Sequence, residues 1–338
     1  MNTASRPTPL IIAEAGVNHN GDLSRARDMV HAAADAGADL VKFQAFRTEQ
    51  LVSAESAAAA YQQANTGIAR QADLLRRLEL RLDDFAVLAE TCRSRGIGFL
   101  CTPFDVAIAG ELVALGMSYI KIASGELTNT PALKALAGYG LPILLSTGMA
   151  TLAETAEAMA TLKKAGATDI TLLHCTSLYP APMEAINLLA MVTLREAFGC
   201  PVGYSDHSLG DHVAIAAVAL GACVIEKHFT LDRKLPGPDH AASLEPDELA
   251  RMVRRMRETA SALGDGIKRP APGESETAAL VRRSWHAARD LAAGTLLAES
   301  DMVLKRPATG LAPGSAPVGR RLTRPVGKDQ PLTPEDLQ

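Results

Sequence analysis

Ionisable side chains follow directly after apolar runs at several points of the sequence. In "VIEKHFTLD", residues 224–232, two apolar residues are followed at once by Glu226, Lys227 and His228. Burying a charge without a partner is costly, so we expect these three side chains to face a polar cavity. A second histidine, His207, occurs in "GYSDHS". Two imidazoles that converge can hold a divalent metal and leave positions open for substrate and water.

Two lysines occur beside hydroxyls and glycines, Lys42 in "VKFQAF" and Lys121 in "KIASGE". Lysine supplies a point charge, and hydroxyls and backbone N–H groups supply directed donors, which suits a small, multiply anionic ligand. The sequence has no P-loop motif, which argues against a nucleoside triphosphate. The carboxylates of Glu14, Glu126 and Asp206 would then act as acid/base groups or hold substrate hydroxyls.

The elements that must position these residues are short β-rich segments that alternate with amphipathic helices. The predicted strands are 9–14, 40–46, 97–102, 118–124, 142–147, 170–175, 201–206 and 223–228. Eight strand–helix units predict an α/β fold of the (β/α)8 TIM barrel type, in which function lies at the C-terminal strand ends. An open doubly wound sheet is the alternative, disfavoured because no GxGxxG follows the first strand.

The composition changes after Gly264, where "DGIKRPAPGESE" reads as a linker. We therefore predict a barrel domain over 1–265, a linker over 266–282 and a small domain over 283–338. Segments 288–302 and 323–337 match as a weak internal repeat. A domain this small is expected to depend on the barrel or on a second subunit for stability.

Composition places the chain among soluble globular enzymes, with 47% hydrophobic and 21% charged residues. A net charge of -4 without a basic cluster argues against nucleic acid as a partner. The longest apolar run, "VAIAAVALGACVI", is shorter than the roughly 20 residues that span a bilayer, so no membrane association is expected. The N-terminus lacks signal-peptide features, and the five cysteines are scattered, which predicts a cytoplasmic protein.

Many motifs, in order, resemble one family. These are "AEAGVNHNGD", "VKFQAF", "TPFD", "KIASGE", "LSTGM", "LLHCTSLYPAP", "GYSDHS", "EKHFTLDR" and "GPDHAASLEPDEL". They resemble the sialic acid synthases, that is, the bacterial N-acetylneuraminate synthases and their legionaminate and pseudaminate relatives. The tail is similar to the antifreeze-like (SAF) domain, a β-clip fold, that ends those enzymes. The resemblance extends over residues 9–337.

The resemblance implies an enzyme that condenses phosphoenolpyruvate with N-acetylmannosamine and water, giving a nine-carbon 2-keto sugar acid and phosphate by C–O cleavage. The alternative is an N,N'-diacetyllegionaminate or pseudaminate synthase that uses a 2,4-diacetamido-2,4,6-trideoxyhexose. The resemblance also implies a homodimer in which each SAF domain caps the partner's barrel. Its divalent metal would be Mn2+, with Mg2+ or Co2+ as alternatives.

The family motifs carry roles over to individual positions. The metal ligands would be His207 and His228, and the carboxylates near the reacting carbons would be Glu14 and Glu126. Phosphoenolpyruvate contacts would be Lys42, Thr102, Lys121, Ser124, Ser146, Ser177 and Ser205. Sugar contacts would be Gln44, Asn65, Tyr179, Asp239 and the partner's Arg306.

Three rival functions stay open at this point. A Schiff-base aldolase also uses a barrel lysine, but that lysine must be desolvated and free of an anion. A sugar- or ice-binding protein is suggested by the antifreeze-like tail alone and gives no reason for the barrel lysines. A condensing enzyme for arabinose 5-phosphate or erythrose 4-phosphate would need further basic residues, and the sequence shows no such cluster. Trp285 and His286 in the tail receive no functional role.

Overall fold

Eight parallel strands form one sheet in the N-terminal part of the chain. In the computed structural model, which describes residues 8–338, these strands are β1 (Leu10–Gly16), β2 (Leu40–Ala45), β3 (Gly98–Pro103), β4 (Ile120–Ile122), β5 (Ile143–Ser146), β6 (Ile170–Cys175), β7 (Val202–Asp206) and β8 (Val224–His228). Their order, β3-β2-β1-β8-β7-β6-β5-β4, is that of a barrel. Strands β3 and β4 end the hydrogen-bonded ladder and still lie next to each other. The predicted (β/α)8 barrel is therefore confirmed.

The strands are apolar on both faces because one face fills the barrel and the other packs under helices. Their register brings polar positions together only where the strands end. Glu14 on β1 lies opposite Lys42 on β2 and opposite His228 on β8. Strand β4 is shorter than the predicted 118–124 because Ser124 already begins a 3-10 turn, Ser124–Glu126.

Helices lie between the strands and cover the sheet. They are α1 (Leu23–Asp35), α2 (Thr48–Leu51), α3 (Ala60–Thr66), α4 (Gln71–Leu78), α5 (Leu82–Arg95), α6 (Ala109–Ala114), α7 (Thr130–Ala137), α8 (Leu152–Lys164), α9 (Met183–Ile186), α10 (Ala190–Phe198), α11 (His212–Ala219) and α12 (Pro246–Leu263). N-terminal caps explain where two of the helices begin. Asp22 accepts from the first-turn amides of α1, and Thr151 forms a capping box with Glu154 on α8. No helix within residues 8–338 is long and apolar enough to cross a membrane.

The connection after β2 carries three extra helices, α2 to α4, which the strand–helix reading did not predict. Their apolar side chains Leu74, Leu75 and Leu78 pack with Val17 and Phe46 in a cluster separate from the main barrel core. Connections that follow barrel strands lie at the C-terminal face, where barrels carry their sites. The insertion therefore supplies walls for a site at that face.

The chain divides after Asp265, and Gly266–Gln338 forms a second compact unit. It contains α13 (Glu274–Val281), which lies inside the segment predicted as linker, and the antiparallel pair β9 (Ser284–Ala287) and β10 (Met302–Lys305). Its small core includes Ala287, Leu291 and Leu332.

The weak repeat predicted over 288–302 and 323–337 has a structural counterpart. Arg289 pairs with Asp301, and Arg324 pairs with Asp336, at equivalent positions of the two segments. Each aspartate also accepts the amide three residues before it, from Ala298 and from Thr333. The matching residues thus close two similar turns.

Candidate active site

A cavity of about 440 Å3 opens among the C-terminal ends of the barrel strands. All but three of the predicted site residues line it: Glu14, Lys42, Gln44, Thr102, Lys121, Ser124, Ser146, Ser177, Tyr179, Ser205, His207, His228 and Asp239. The α3–α4 region adds Tyr61, Gln62 and Leu78 to the wall. One cavity therefore gathers the groups, although their individual roles remain predictions.

Lys42 is buried at the base of the cavity and is surrounded by oxygen atoms. Its Nζ lies 2.8 Å from Glu14 Oε2, 3.0 Å from Thr102 Oγ1 and 3.7 Å from Glu226 Oε1. Gln44 Nε2 donates to Glu14 Oε1 at 2.9 Å. Burial lowers the pKa of Lys42, but the carboxylates of Glu14 and Glu226 raise it above its usual value. Lys42 is therefore a fixed positive charge.

Lys121 is the second lysine that lines the cavity. Its Nζ donates to Ser146 Oγ at 2.8 Å and lies 3.7 Å from Glu226 Oε1. Burial lowers its pKa. Burial raises the pKa of Glu14, which favours its protonated form, whereas Lys121 and Lys42 outweigh burial and lower the pKa of Glu226. The ammonium groups of Lys42 and Lys121 both lie in this cluster, and they supply the charge-bearing donors that an anion needs.

The geometry of strand β8 explains how the chain buries three consecutive ionisable residues, Glu226, Lys227 and His228. Side chains alternate along a strand, so Glu226 and His228 face the cavity and Lys227 faces outward. Lys227 Nζ donates to Asp206 Oδ2 at 2.8 Å, and neither side chain is exposed. Register explains the pair, because Asp206 lies opposite Lys227 in the β7–β8 ladder. The expectation that Lys227 and Asp206 face the cavity was wrong, since both form a structural ion pair behind it.

Glu226 was expected to face the cavity but received no role there, although it stands at the centre of the charged cluster. It lies between the two lysines and accepts from Ser205 Oγ at 3.2 Å, and its other oxygen, Oε2, has no hydrogen-bond partner among the described residues. The signal that could have separated it from Lys227 was the two-residue spacing to His228, which puts Glu226 and His228 on the same face.

The two predicted metal ligands face each other across the top of β7 and β8. The ring centroids of His207 and His228 are 5.3 Å apart. The Nδ1 of His207 lies 2.8 Å from Thr176 O, so its Nε2 is left for a ligand, and Nδ1 of His228 is buried without a partner in the described chain. These donors fit a divalent cation. No group of three or more His, Cys, Asp or Glu side chains suited to a metal occurs within residues 8–338, so further ligands would have to come from substrate or water.

The protonation states of the two imidazoles differ. Burial lowers the pKa of His228 well below its usual value, and the ring is neutral, as a metal ligand must be. Burial also lowers the pKa of His207, but the Cys175 thiol, with Sγ 3.7 Å from Nδ1, raises it above its usual value. The raised pKa favours a protonated His207 ring. A cation bound at its Nε2 would replace the proton on that nitrogen.

The outer part of the cavity is aromatic and polar. The Tyr179 ring stacks on Tyr61 at 5.2 Å and lies 4.1 Å from the His207 ring, between centroids. Asp239 is buried in the same wall, and burial raises the pKa of its carboxyl group to about 6. Stacked rings beside an acceptor carboxylate suit a sugar, which presents apolar C–H faces and hydroxyl donors.

Three predicted residues do not line this cavity. Glu126 is half-buried in its 3-10 turn and accepts from Asn129 Nδ2 at 2.7 Å. Asn65 donates from Nδ2 to Pro238 O at 2.8 Å. Arg306 belongs to the second unit and was expected to act on the partner's barrel.

A larger cavity of about 620 Å3 lies next to the first and shares Met149, Cys175 and Ser177 with it. Its lining contains no lysine, arginine or carboxylate. An anionic substrate needs charge-bearing donors, so the chemistry is argued from the smaller cavity.

Comparison with known proteins finds matches for both units of the chain. The model of the NeuB family matches residues 29–268, and the model of the SAF domain matches residues 282–338. The chain is 48% identical to the N,N'-diacetyllegionaminic acid synthase of Campylobacter jejuni, over 90% of this chain and 92% of that protein. It is 45% identical to the N,N'-diacetyllegionaminic acid synthase of Legionella pneumophila, over 99% of this chain and 96% of that protein.

Among solved structures, the chain is similar to the N-acetylneuraminic acid (sialic acid) synthetase of Leptospira borgpetersenii. The TM-score is 0.73 at 38% identity, covering 80% of this chain and 90% of that one. These relatives are synthases, and the prediction of an enzyme of this kind is confirmed. The chain belongs to the NeuB family and ends in a SAF domain.

Proposed function

We propose that this protein condenses phosphoenolpyruvate with an acetamido sugar, releasing phosphate and forming a nine-carbon 2-keto acid. The observation that carries the proposal is the pair of buried lysines, Lys42 and Lys121, each bonded to a hydroxyl and each 3.7 Å from Glu226. Such a cluster is suited to a small anion that carries both a phosphate and a carboxylate. Ser124 lines the same cavity and supplies a further donor.

The cavity residues have distinct roles in this reaction. C3 of phosphoenolpyruvate attacks the aldehyde carbon of the sugar, water adds to C2, and the bond between C2 and the bridging oxygen breaks to release phosphate. A carboxylate near C2 stabilises the positive charge that develops there and accepts a proton from the water. Glu14 and Glu226 are the candidates that line the cavity, and Glu126 remains a prediction.

We propose that His207 and His228 hold a divalent cation, Mn2+ in the first instance, with Mg2+ or Co2+ as alternatives. When bound, the cation supplies Lewis-acid polarisation of the sugar's aldehyde oxygen. The chain's own contribution is to fix the ring of His207 through Thr176 O at 2.8 Å and to keep His228 neutral by burial.

The acceptor is proposed to be a 2,4-diacetamido-2,4,6-trideoxyhexose, the alternative named from the sequence. Support comes from the two N,N'-diacetyllegionaminic acid synthases, at 48% and 45% identity over most of the chain. N-acetylmannosamine, placed first from sequence, is the second candidate, and the Leptospira sialic acid synthetase favours it at 38% identity. The homodimer with exchanged SAF domains and the sugar contact of the partner's Arg306 also stay proposals.

A sugar panel tests the acceptor. Phosphate release from phosphoenolpyruvate is measured with Mn2+ and either N-acetylmannosamine, the manno or altro diacetamido sugar, or arabinose 5-phosphate. A higher kcat/KM for the manno diacetamido sugar supports the proposal. Preference for N-acetylmannosamine would make the enzyme a sialic acid synthase. Borohydride trapping of pyruvate on a lysine would instead indicate a Schiff-base aldolase.

A further inference from the structure

Two asparagine side chains hold the connection that carries Asp239. This connection, residues 229–245, joins β8 to α12. Asn20 Nδ2 donates to Pro236 O at 2.6 Å, and Asn65 Nδ2 donates to Pro238 O at 2.8 Å. The two carbonyls lie three residues and one residue before Asp239, so the backbone is held from two different elements just before the carboxylate.

A third asparagine holds the same connection on its other side. Asn18 Nδ2 donates to Phe229 O and to Ser243 Oγ, both at 2.9 Å. Ser243 Oγ in turn donates to the backbone carbonyl of Asp239 at 2.7 Å. All of these atoms are buried, so each lost bond would leave a carbonyl or hydroxyl unsatisfied.

Asn20 is further locked through its other amide atom. Its Oδ1 accepts from His240 Nε2 at 3.2 Å, and Thr230 Oγ1 donates to His240 Nδ1 at 2.6 Å. Gly237 has to be glycine here, because an added Cβ would lie 2.5 Å from His240 Cδ2 and 2.7 Å from Asn20 Oδ1. The backbone at Gly237 therefore packs closely against the side chains of His240 and Asn20.

We propose that Asn18, Asn20 and Asn65, the asparagine clamp, are positioning residues that hold the Asp239 carboxylate where the acceptor sugar binds. The inference rests on the proposed function of the cavity. Among the described residues, no hydrogen bond reaches the Asp239 carboxylate itself, which lines the cavity, so its position is set through the backbone that the clamp holds. A displacement of even 1 Å at a substrate contact weakens binding of the group it contacts.

The first test compares Asn20→Asp with a matched control in the full-length chain. Asn20→Asp keeps the acceptor for His240 but puts a carboxylate oxygen against Pro236 O. The control is Asn187→Asp, because Asn187 is exposed and shares the left-handed backbone, with φ 49° against 53° for Asn20. We expect the sugar KM to rise about three- to tenfold in Asn20→Asp, as for one lost hydrogen bond, while the phosphoenolpyruvate KM and the control stay within about twofold.

A double-mutant cycle separates positioning from general stability. If Asn20 acts through Asp239, then Asn20→Asp added to Asp239→Asn raises the sugar KM no further. If the fold-changes in sugar KM of the two single variants multiply in the double variant, the clamp proposal is wrong. An unchanged sugar KM in both Asn20→Asp and Gly237→Ala would also refute it. Wild-type enzyme inactive with every acceptor would instead refute the proposed function.

A measurement that needs no turnover completes the test. Hydrogen–deuterium exchange of the peptide containing residues 236–244 should increase in Asn20→Asp and in Gly237→Ala, because the loop loses the bonds that hold its backbone. If both variants exchange this peptide at the wild-type rate, the clamp proposal is wrong, whether or not the enzyme is active.

Discussion

Replacing Lys227 with methionine should destabilise the barrel and leave phosphoenolpyruvate binding unchanged. Methionine keeps an apolar side chain of similar length but removes the ammonium that donates to Asp206 Oδ2 at 2.8 Å. Lys227 and Asp206 are fully buried on the outer face of their strands. The variant therefore leaves a buried carboxylate oxygen without its cationic partner.

The size of the effect follows from what remains at Asp206. Breaking a buried ion pair by removing one partner costs about 3–5 kcal/mol. Asp206 Oδ1 keeps two donors, Ser208 N at 2.8 Å and Ser208 Oγ at 2.6 Å, which places the cost at the lower end. A loss of about 3 kcal/mol corresponds to a fall in Tm of about 6–12 °C for a unit of this size.

The two units can be followed separately during unfolding. The single tryptophan, Trp285, belongs to the second unit, so its fluorescence reports that unit, whereas far-UV circular dichroism is dominated by the barrel helices. We expect Lys227→Met to lower the circular dichroism transition only. The double variant Asp206→Asn/Lys227→Met should lose less stability than the two single variants summed. A barrel transition within about 0.5 kcal/mol of wild type, together with a raised phosphoenolpyruvate KM, would refute the orientation assigned to Lys227.

Three further variants test the cavity. Lys121→Met should raise the phosphoenolpyruvate KM at least about tenfold because a charge-assisted contact is lost, and an unchanged KM would contradict its role. His228→Gln should abolish Mn2+-dependent turnover and weaken Mn2+ binding measured by calorimetry, while wild-type affinity would remove it from the proposed metal site. The pKa of Asp239 is raised to about 6 by burial, so its carboxylate becomes protonated as pH falls through 6. The kcat/KM for sugar should then fall below pH 6, and Asp239→Asn should lose this pH dependence; the same profile in that variant would assign the titration elsewhere.

The strand positions and the residues at their ends could be predicted because both follow local rules. Alternation of apolar segments with helices gave eight strands, and parallel strands bring their C-terminal residues to one face. The two-residue period of side chains along a strand was not applied to β8. As a result Lys227 was expected to face the cavity, and Glu226 received no predicted role.

Other features depend on contacts between distant parts of the chain. Asn65 meets Pro238 across 173 residues of sequence, and Asn18 meets Ser243 across 225. No spacing rule connects such pairs, so the backbone contact of Asn65 could not be predicted, and the sugar contact that the family resemblance implies for it stays a prediction. The helices α2 to α4 were missed for a related reason, since insertions in barrel connections follow no regular period.

The measurement that tests the central claim most directly is the stoichiometry of the reaction in the presence of Mn2+. Phosphate and 2-keto acid are measured after mixing phosphoenolpyruvate with the manno 2,4-diacetamido-2,4,6-trideoxy sugar, in wild type and in Lys121→Met. We expect equal amounts of the two products in wild type, no phosphate without sugar, and strongly reduced formation of both in Lys121→Met at low phosphoenolpyruvate. Phosphate release that does not depend on any sugar, or equal rates in the two proteins, would contradict condensation at the lysine cluster.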